Sequence, residues 1–554
     1  MKKHEDKLSL IPLGGLGEVG KNMLVIEYEG TIIVLDAGLI FPEEEMLGVD
    51  IVIPDMSYLA ERRDKVKGVV LTHGHEDHVG ALPYLLRQLD VPLFGTKLTL
   101  GIVQRKLEEF GVKMHRDTTV IEPGQPVEVG VFTVTPFRTN HSIPDSVGLA
   151  IETPVGLVVH SGDFKFDQTP VDGEVAGFHD LANLGRRDVL VLLSDSTGAE
   201  REGYTPSEKV VGQTLDQVIG SARRRVLVAT FASNVHRVQQ VFDAAARHRK
   251  AVTVVGRSMV DTYEIARRLG YLRVPEGLVV PVEEIDRHPA DRTVILTTGS
   301  QGEPMSALTR IANNDHKWID VMPGDTVVIA ATPVPGNEKM VARTINNLFR
   351  RGAEVIYGPN SGVHVSGHAS REELKLMLNL VQPRYFVPVH GEYRHLVHHA
   401  ALAKELGIPS NHVFVVENGT ILEFTRDGAQ VAGRVQCGNV LVDGLGVGDV
   451  GNVVLRDRRQ LSQDGILICV LGVDEDGRLA AGPELVSRGF VYVRESEALM
   501  EEARQRVADA FTSEEPYQPG DWGAIKSTVR DALSSFLYER TRRRPMILPI
   551  VIEV

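Results

Sequence analysis

The sequence predicts a mixed α/β protein with more than one domain, and three observations carry that reading. The chain has 554 residues, whereas single hydrophobic cores stop growing near ~250–300 residues. Up to about Ser194, short β-rich apolar runs alternate with turns and few long helices interrupt them, the pattern of packed sheets with helices outside. From about Thr205, buried-strand runs alternate with helical ones, the pattern of a parallel sheet.

The runs of the first part lie at 24–26, 31–35, 68–71, 131–135, 147–151, 157–159 and 189–193, several separated by turns such as Tyr28-Glu-Gly30 and Thr153-Pro-Val-Gly156. One helix is expected after residue 78, where Leu82, Leu85, Leu86 and Leu89 share a face and Pro83 falls in the first turn. A second domain is placed at 206–345, with strands at 225–230, 251–256, 293–298 and 326–330 and helices at 235–247 and 259–269. The character changes again near Gly438. Residues 438–454, with the turn Gly448-Asp-Val-Gly-Asn452, read as a linker to a small α/β appendage at 455–554. Its strands are expected at 466–471 and 490–493 and its helices at 496–511 and 522–540.

Composition excludes several classes. Hydrophobic residues make up 43% and charged residues 24%, as in ordinary soluble domains. No run approaches the ~20 apolar residues of a membrane span, and the start, Met1-Lys-Lys-His-Glu-Asp6, lacks the apolar segment of a signal peptide. Cys437 and Cys469, the two cysteines, cannot form a disulfide frame or a cysteine zinc site, so a reducing, cytoplasmic setting without membrane attachment is expected. A net charge of −14 argues against nucleic-acid binding over a broad basic surface. It leaves open a local site where bound cations reverse the field. The short basic runs at 223–225, 350–351 and 542–544 read as solvated surface charge.

The chemistry concentrates at Thr72-His73-Gly-His75-Glu76-Asp77-His78, which follows an apolar strand. Three histidines and Asp77 within six residues at a strand-to-helix turn can point at one small volume. Imidazole and carboxylate together suit zinc, manganese, iron or cobalt, whereas magnesium and calcium prefer oxygen shells. His141, Asp163, Asp195 and His390 each follow or end an apolar run, so all can gather at one sheet edge.

The His-x-His-x-Asp-His element with its downstream His, Asp and His resembles the metallo-β-lactamase superfamily, whose αββα fold sandwiches two sheets between helices and sets two metals at one edge. The resemblance implies that 1–205 and 346–437 are two parts of one such domain. It implies two divalent ions, zinc foremost and manganese also compatible. His73, His75 and His141 would hold the first, Asp77, His78 and His390 the second, and Asp163 would bridge them. Glu76 or Asp195 would orient a ligand histidine through its other nitrogen.

The long interval between Asp163 and His390 contains the 206–345 segment, and before His390 comes Pro359-Asn-Ser-Gly-Val-His364-Val365-Ser366-Gly367-His368-Ala-Ser370. This resembles the β-CASP nuclease branch, whose cap domain covers the active site. Asp195 then matches the acidic motif, His368 the middle histidine and His390 the last. Ile11-Pro-Leu-Gly-Gly-Leu-Gly-Glu-Val-Gly-Lys-Asn22, Thr230-Phe-Ala-Ser-Asn-Val-His-Arg237, Thr298-Gly-Ser-Gln-Gly-Glu-Pro304 and the C-terminal appendage are similar to the ribonuclease J family over essentially the full length. That resemblance implies 5′→3′ exonuclease and endonuclease activity on single-stranded RNA in processing and decay. It also implies a homodimer or homotetramer formed through the C-terminal domain, and other RNA-degradation proteins as partners.

The residues themselves agree with this chemistry. Ser370-Arg-Glu-Glu373 is a capping box for a helix with Leu374, Met377, Leu378 and Val381 on one face. The preceding loop faces a helix N-terminus, a natural anion site. Ser233 and Asn234 stand between a strand and a helix, where capping and phosphate contact are both open. The expected RNA-phosphate contacts are therefore Ser233, Asn234, His364, Val365, Ser366, Gly367 and His368, with a protonated His364 adding charge. Asp77, Asp195 and His368 are the expected catalytic residues: Asp77 as an ion ligand rather than only a helix cap, and His368 as a general acid held by Asp195. A 5′-monophosphate end is the expected handle, because it adds a charge of about −1.5 to −2. Two other hydrolases share the metal motif: a DNA-directed β-CASP nuclease, and a hydrolase of small substrates, against which the inserted domain and His368 argue. A structural metal site would instead be a saturated tetrahedron dominated by cysteine.

Overall fold

The computed structural model describes residues 6–114, 116–303, 305–334, 336–475, 478–491, 496–512 and 521–554. The chain divides into two compact units. One holds the described residues up to Phe41 together with Val52–Val440, and the other holds Pro42–Ile51 and Leu441–Val554. The start of the chain before Asp6, Pro304 of the Thr298 motif and residues 492–493 of an expected strand lie outside the described residues.

The first unit contains the αββα sandwich. Its eight-stranded sheet runs in the order Ala429–Arg434, Thr420–Phe424, Leu8–Gly14, Met23–Tyr28, Thr31–Leu35, Val66–Val70, Leu93–Gly95, Thr118–Val120. Its six-stranded sheet runs Tyr385–Val389, Val189–Asp195, Leu157–His160, Val147–Glu152, Phe132–Arg138, Val127–Val129. The inner faces meet in one core, Leu10, Ile26, Ile33 and Val70 from the first sheet against Val134, Leu149, Val158, Val191 and Val387 from the second. Both faces of the six-stranded sheet are covered, so Val189–Asp195 is buried at every residue and reads as a continuous apolar run rather than an alternating one. Helices Phe178–Gly185, Arg371–Val381 and Tyr393–Glu405 contribute Leu181, Leu374, Met377 and Leu402 to the core on its outer face.

Strand direction fixes where the chemistry collects. Thr31–Leu35, Val66–Val70 and Leu93–Gly95 are parallel neighbours, as are Leu157–His160, Val189–Asp195 and Tyr385–Val389. Phe132–Arg138 is two antiparallel pairings from Leu157–His160 and so runs the same way. Their C-terminal ends therefore open onto one edge.

The inserted segment is a doubly wound parallel sheet in the order Ala251–Val255, Thr293–Thr297, Val226–Ala229, Thr326–Ile329, Glu354–Ile356. Helices Lys209–Ser221, Val235–Arg247 and Arg257–Leu269 cover one face, and Ala307–Asn313 and Glu338–Arg350 the other. Leu98 and Ile143 of the sandwich share the first of these cores. In the second unit Ile466–Val473 lies between Leu479–Arg488, antiparallel to it, and Met546–Glu553, parallel to it. Helices Glu497–Thr512 and Trp522–Thr541 cover one face of this sheet.

Several elements differ from the sequence reading. The helix expected to carry Leu82 through Leu89 is the single turn Leu82–Leu85, preceded by a separate turn, Glu76–Val79. Pro83 has no N–H with which to continue the ladder back to Val79. Lys97–Glu109 is a helix that was not expected. Residues 438–454, read as a linker, contain strands Asn439–Asp443 and Gly446–Val447 and the start of helix Asn452–Asp464. Strands Leu479–Arg488 and Met546–Glu553 were also not expected, and Phe490 and Val491 lie outside any strand. Both cysteines are free, and no helix among the described residues is long and apolar enough to cross a membrane.

The expected capping box forms at helix Arg371–Val381 and does more than cap it. Glu373 is fully buried, and its carboxylate accepts the N–H groups of Ser370 (2.8 Å), Phe166 (2.8 Å) and Thr205 (2.7 Å). One side chain thus ties the helix to the segment after Asp163 and to the entry of the inserted domain. Glu373→Ala leaves these buried donors unpaired at about 1–3 kcal/mol each. Denaturant unfolding is expected to show a loss of roughly 3 kcal/mol or more, and a loss below about 1 kcal/mol would contradict the role.

Candidate metal centre

Each candidate ligand sits just past a strand that ends at the common edge: His73 to His78 after Val66–Val70, His141 after Phe132–Arg138, Asp163 after Leu157–His160, His390 after Tyr385–Val389. Asp36 and His390 turn off their strands with left-handed φ of 59° and 52°, strain characteristic of functional turns. Gly38 lies so close to the carbonyl of Asp77 that a Cβ there would overlap its oxygen, so the Asp77 turn fits only against a glycine.

Two groups of ligand atoms converge. In the first, His75 Nδ1 lies 3.0 Å from His73 Nε2 and 3.1 Å from His141 Nε2. In the second, His390 Nε2 lies 3.2 Å from Asp77 Oδ2, and His78 Nε2 lies 3.6 Å from Asp77 Oδ2 and 3.3 Å from Asp163 Oδ1. Asp163 stands between the groups, its Oδ2 3.8 Å from His73 Nε2, 3.7 Å from His141 Nε2 and 3.6 Å from His390 Nε2. Ligands about 2.0–2.1 Å from a tetrahedral ion are separated by roughly 3.3 Å. The donor spacing fits that edge.

The opposite ring nitrogens are held by hydrogen bonds that leave the converging ones as lone-pair donors. Asp36 accepts from His78 Nδ1 at 2.7 Å and from the Thr72 hydroxyl at 2.8 Å. Having donated to Asp36, the Thr72 oxygen can only accept from His73 Nδ1, 3.1 Å away. The Gly367 carbonyl takes the His141 Nδ1 proton at 2.8 Å. Thr197 Oγ1 donates to Asp195 at 2.7 Å and faces His390 Nδ1 at 2.7 Å, with Asp195 Oδ1 3.3 Å from the same nitrogen. The expectation for Glu76 is corrected: its half-exposed carboxylate pairs with Lys106 at 2.6 Å and reaches no ligand. Asp195 does lie against His390, and its Oδ2 also accepts from His368 Nδ1 at 2.7 Å.

The charges divide in the same way. Burial pushes His73 and His141 well below the ordinary histidine range and His75 down to about 4. Burial also opposes charge on His78 and His390, yet Asp163 and the neighbouring carboxylates raise both well above it. Burial disfavours ionised Asp77 and Asp163, but His78 and His390 outweigh it and hold both carboxyls low. Asp195 is held low against its burial by His368 and His390. The second group is a buried anionic nest that calls for positive charge, the condition under which a divalent cation fits.

The loop 364–368 joins the inserted domain to this cluster. Arg237, fully buried, forms a bidentate pair with Glu208 (2.8 and 2.9 Å) and donates to His364 Nδ1 at 3.2 Å. His364 therefore carries its proton on Nε2. Its expected positive charge is corrected, because burial first, then Arg237, Arg201 and Lys165, push it down to about 3. Val365 packs against the core of the inserted domain, Gly367 holds His141, and Ser366 Oγ accepts the His368 N–H at 3.1 Å. Asn234 caps helix Val235–Arg247 by accepting the Arg237 N–H at 3.1 Å, which leaves its amide nitrogen free of that role, and Ser233 precedes it half-buried.

Asp36, Thr72, Thr197 and Arg237 were missed from the sequence. Asp36 carried the same signal as Asp163, a carboxylate directly after an apolar strand. The two threonines and Arg237 act by hydrogen bonds across the fold and have no local pattern.

Family models match along most of the chain: "Metallo-beta-lactamase superfamily" at 16–198, "Ribonuclease J, beta-CASP domain" at 223–348, "Zn-dependent metallo-hydrolase RNA specificity domain" at 355–416 and "Ribonuclease J C-terminal domain" at 453–554. Ribonuclease J2 of Bacillus subtilis (strain 168) is 47% identical over 554 residues, covering 100% of both chains. Ribonuclease J 1 of Streptococcus pyogenes serotype M3 is 44% identical, covering 99% of this chain and 98% of that one. Ribonuclease J 2 of Staphylococcus aureus (strain NCTC 8325 / PS 47) is 41% identical over 100% of both. The crystal structure of a protein of unknown function from Enterococcus faecalis V583 shares the fold, with a TM-score of 0.55 at 15% identity over 76% of this chain and 100% of that one.

Asp77 lies inside the turn Glu76–Val79, whose N-cap is His75, so it is not a helix cap. Asp77→Asn is expected to fold normally, lose one of two bound ions and turn over substrate at least about 100-fold more slowly. Metal analysis and a cleavage assay check this, and full metal content with near-normal cleavage would contradict it.

Proposed function

The chain belongs to the ribonuclease J family of metal-dependent ribonucleases, and from that premise we propose that it hydrolyses single-stranded RNA both from 5′-monophosphate ends and internally. The observation that carries this reading is the loop 364–368. It lies within the RNA-specificity match and bonds at one end to the inserted domain, through His364, and at the other to the metal centre, through His141 and Asp195.

His73, His75 and His141 would hold one divalent ion, Asp77, His78 and His390 would hold a second, and Asp163 lies within reach of both, with zinc or manganese suited to this donor set. When bound, such ions activate water at neutral pH and stabilise charge on the oxygens of the phosphoryl group. His368 supplies the proton to the leaving oxygen. Its Nδ1 is occupied by Asp195, its ring stacks on His390 with centroids 5.4 Å apart, and Nε2 remains for the substrate. Asp195, accepting from Nδ1, fixes the ring so that Nε2 is the nitrogen left to face the leaving oxygen. His368→Ala is expected to keep both ions and bind RNA while cleavage slows by about 100- to 10,000-fold. Loss of the ions, or an unchanged rate, would overturn the role.

The 5′ phosphate is met by neutral donors, the Ser233 hydroxyl, the Asn234 amide and His364 Nε2–H, with Ser366 beside them. A hydroxyl end would leave these donors unpaired, and a triphosphate is expected to fit less well because of its size. The second unit serves assembly into a homodimer or homotetramer, a reading supported by Leu548, Ile550 and Ile552, exposed at alternate positions along Met546–Glu553. The free cysteines accord with a cytoplasmic setting, in which other RNA-degradation proteins are the expected partners.

The test compares RNA bearing 5′-monophosphate, triphosphate and hydroxyl ends, beside DNA of the same sequence, with the native protein and a His364→Ala/Ser366→Ala variant. The native protein is expected to digest monophosphorylated RNA fastest. The variant is expected to lose that preference while retaining internal cleavage. Equal rates at all three ends with the native protein would contradict the pocket, and cleavage of DNA as fast as RNA would favour the DNA-directed reading.

A further inference from the structure

The glycine-rich segment 14–22 plays no part in the chemistry above, yet it lies against the second ligand group. Leu16–Gly17 pairs in parallel with Gly391–Glu392, and the Gly15 carbonyl accepts the His390 N–H at 2.9 Å. At the other end of the segment, the Asn22 N–H donates to the Asp77 carbonyl at 2.9 Å, and the Asn22 carbonyl accepts the Gly38 N–H at 2.9 Å. The Asn22 side chain then turns into the site. Its amide nitrogen donates to the same Asp77 carbonyl at 3.0 Å and lies 3.1 Å from His78 Nε2, the nitrogen that faces Asp77 and Asp163. Its amide oxygen fills the space where a side chain at Gly15 (φ 88°) would stand, so the loop has room for this amide only because that residue is glycine.

We infer that Asn22 is a positioning residue for the second ion: an uncharged amide that fixes the Asp77 turn and the metal-facing side of His78 relative to each other. The inference rests on the two-ion reading above. His78 is gripped by Asp36 on its far nitrogen and by Asn22 beside its near one, whereas Asn22 has no bond to His73, His75 or His141. The two ions must therefore respond differently to its loss. Removing an outer partner of this kind typically weakens metal binding about 10- to 100-fold.

The experiment titrates metal-free native protein, Asn22→Ala and Asn22→Asp with Mn2+ without RNA. Electron paramagnetic resonance follows both free ion and the exchange-coupled signal of an ion pair. Native protein taking up fewer than two ions would sink the two-ion reading itself. With two ions bound to the native protein, Asn22→Ala is expected to bind the first unchanged and the second about 10- to 100-fold more weakly, and to lose the coupled signal at limiting Mn2+. Asn22→Asp keeps the size but has no N–H to donate to the Asp77 carbonyl, so it is expected to weaken the second ion as alanine does. Both ions unchanged in Asn22→Ala, both weakened in parallel, or Asn22→Asp holding the second ion as tightly as native protein, would each overturn the inference.

Discussion

The constraint on which the rest of the structure depends is the burial of a carboxylate at the meeting edge of two sheets. Asp163 is 3% exposed and has Nε2 of His73, His78, His141 and His390 at 3.3–3.8 Å. An ionised carboxylate without compensation at such a depth costs several kcal/mol. The fold meets that cost with imidazoles drawn from strand ends on both sheets, and a divalent cation completes the compensation. The order of the strands follows from this demand as much as from packing. Any register slip in the parallel pairs would withdraw a ligand from the edge as well as expose the core.

The second layer of the site is built from groups that hold the ligands rather than bind the ion. Asp36 and Thr72 serve His78 and His73 together, so two ligands share one buried anchor. The loop 364–368 does the same across a longer span, since Gly367 orients His141 while His364 is held by Arg237 of the inserted domain. A shift of that domain would then be felt at the first ligand group through the four residues His364 to Gly367 and the hydrogen bond at each end of them.

Much of this was legible in the sequence, and for physical reasons. Parallel strands buried on both faces are continuous apolar runs, so the strands that carry Asp163, Asp195 and His390 announce themselves, and a polar residue directly after each is a strong signal. Asp36 carried that signal too but had no companion nearby to draw attention to it. The charge state of His364 was not legible, because it depends first on burial and then on Arg237, more than a hundred residues away in the chain. Helix Lys97–Glu109 was hidden by its own packing. Its buried residues Leu98, Thr99, Leu100, Val103 and Leu107 include a threonine, and the helix serves two surroundings at once, since Leu98 packs into the core of the inserted domain. Ile466–Val473 of the second unit was legible as an apolar run, whereas its two partner strands escaped because Pro549 breaks the pattern of one and small residues, Ala480, Ala481 and Gly482, begin the other.

The net charge of −14 sets a problem that only the site can solve. RNA is a polyanion, and the buried cations nearest the cleft do not attract it. Arg237 is neutralised by Glu208, and Lys165 lies 3.6 Å from Asp167. The cluster itself presents Asp77, Asp163 and Asp195 as ionised carboxylates. Without metal, those three carboxylates face His78 and His390, the two histidines raised in pKa, which leaves the centre no surplus of positive charge for a phosphate. Divalent cations held there would turn the local field positive, and on the proposed reading substrate affinity and metal occupancy are then thermodynamically linked. By reciprocity, a bound phosphate must tighten the ions as much as the ions tighten the phosphate. On the proposed reading, an acidic chain with a cationic centre discriminates by position, drawing the RNA backbone to the metal edge rather than to the surface as a whole.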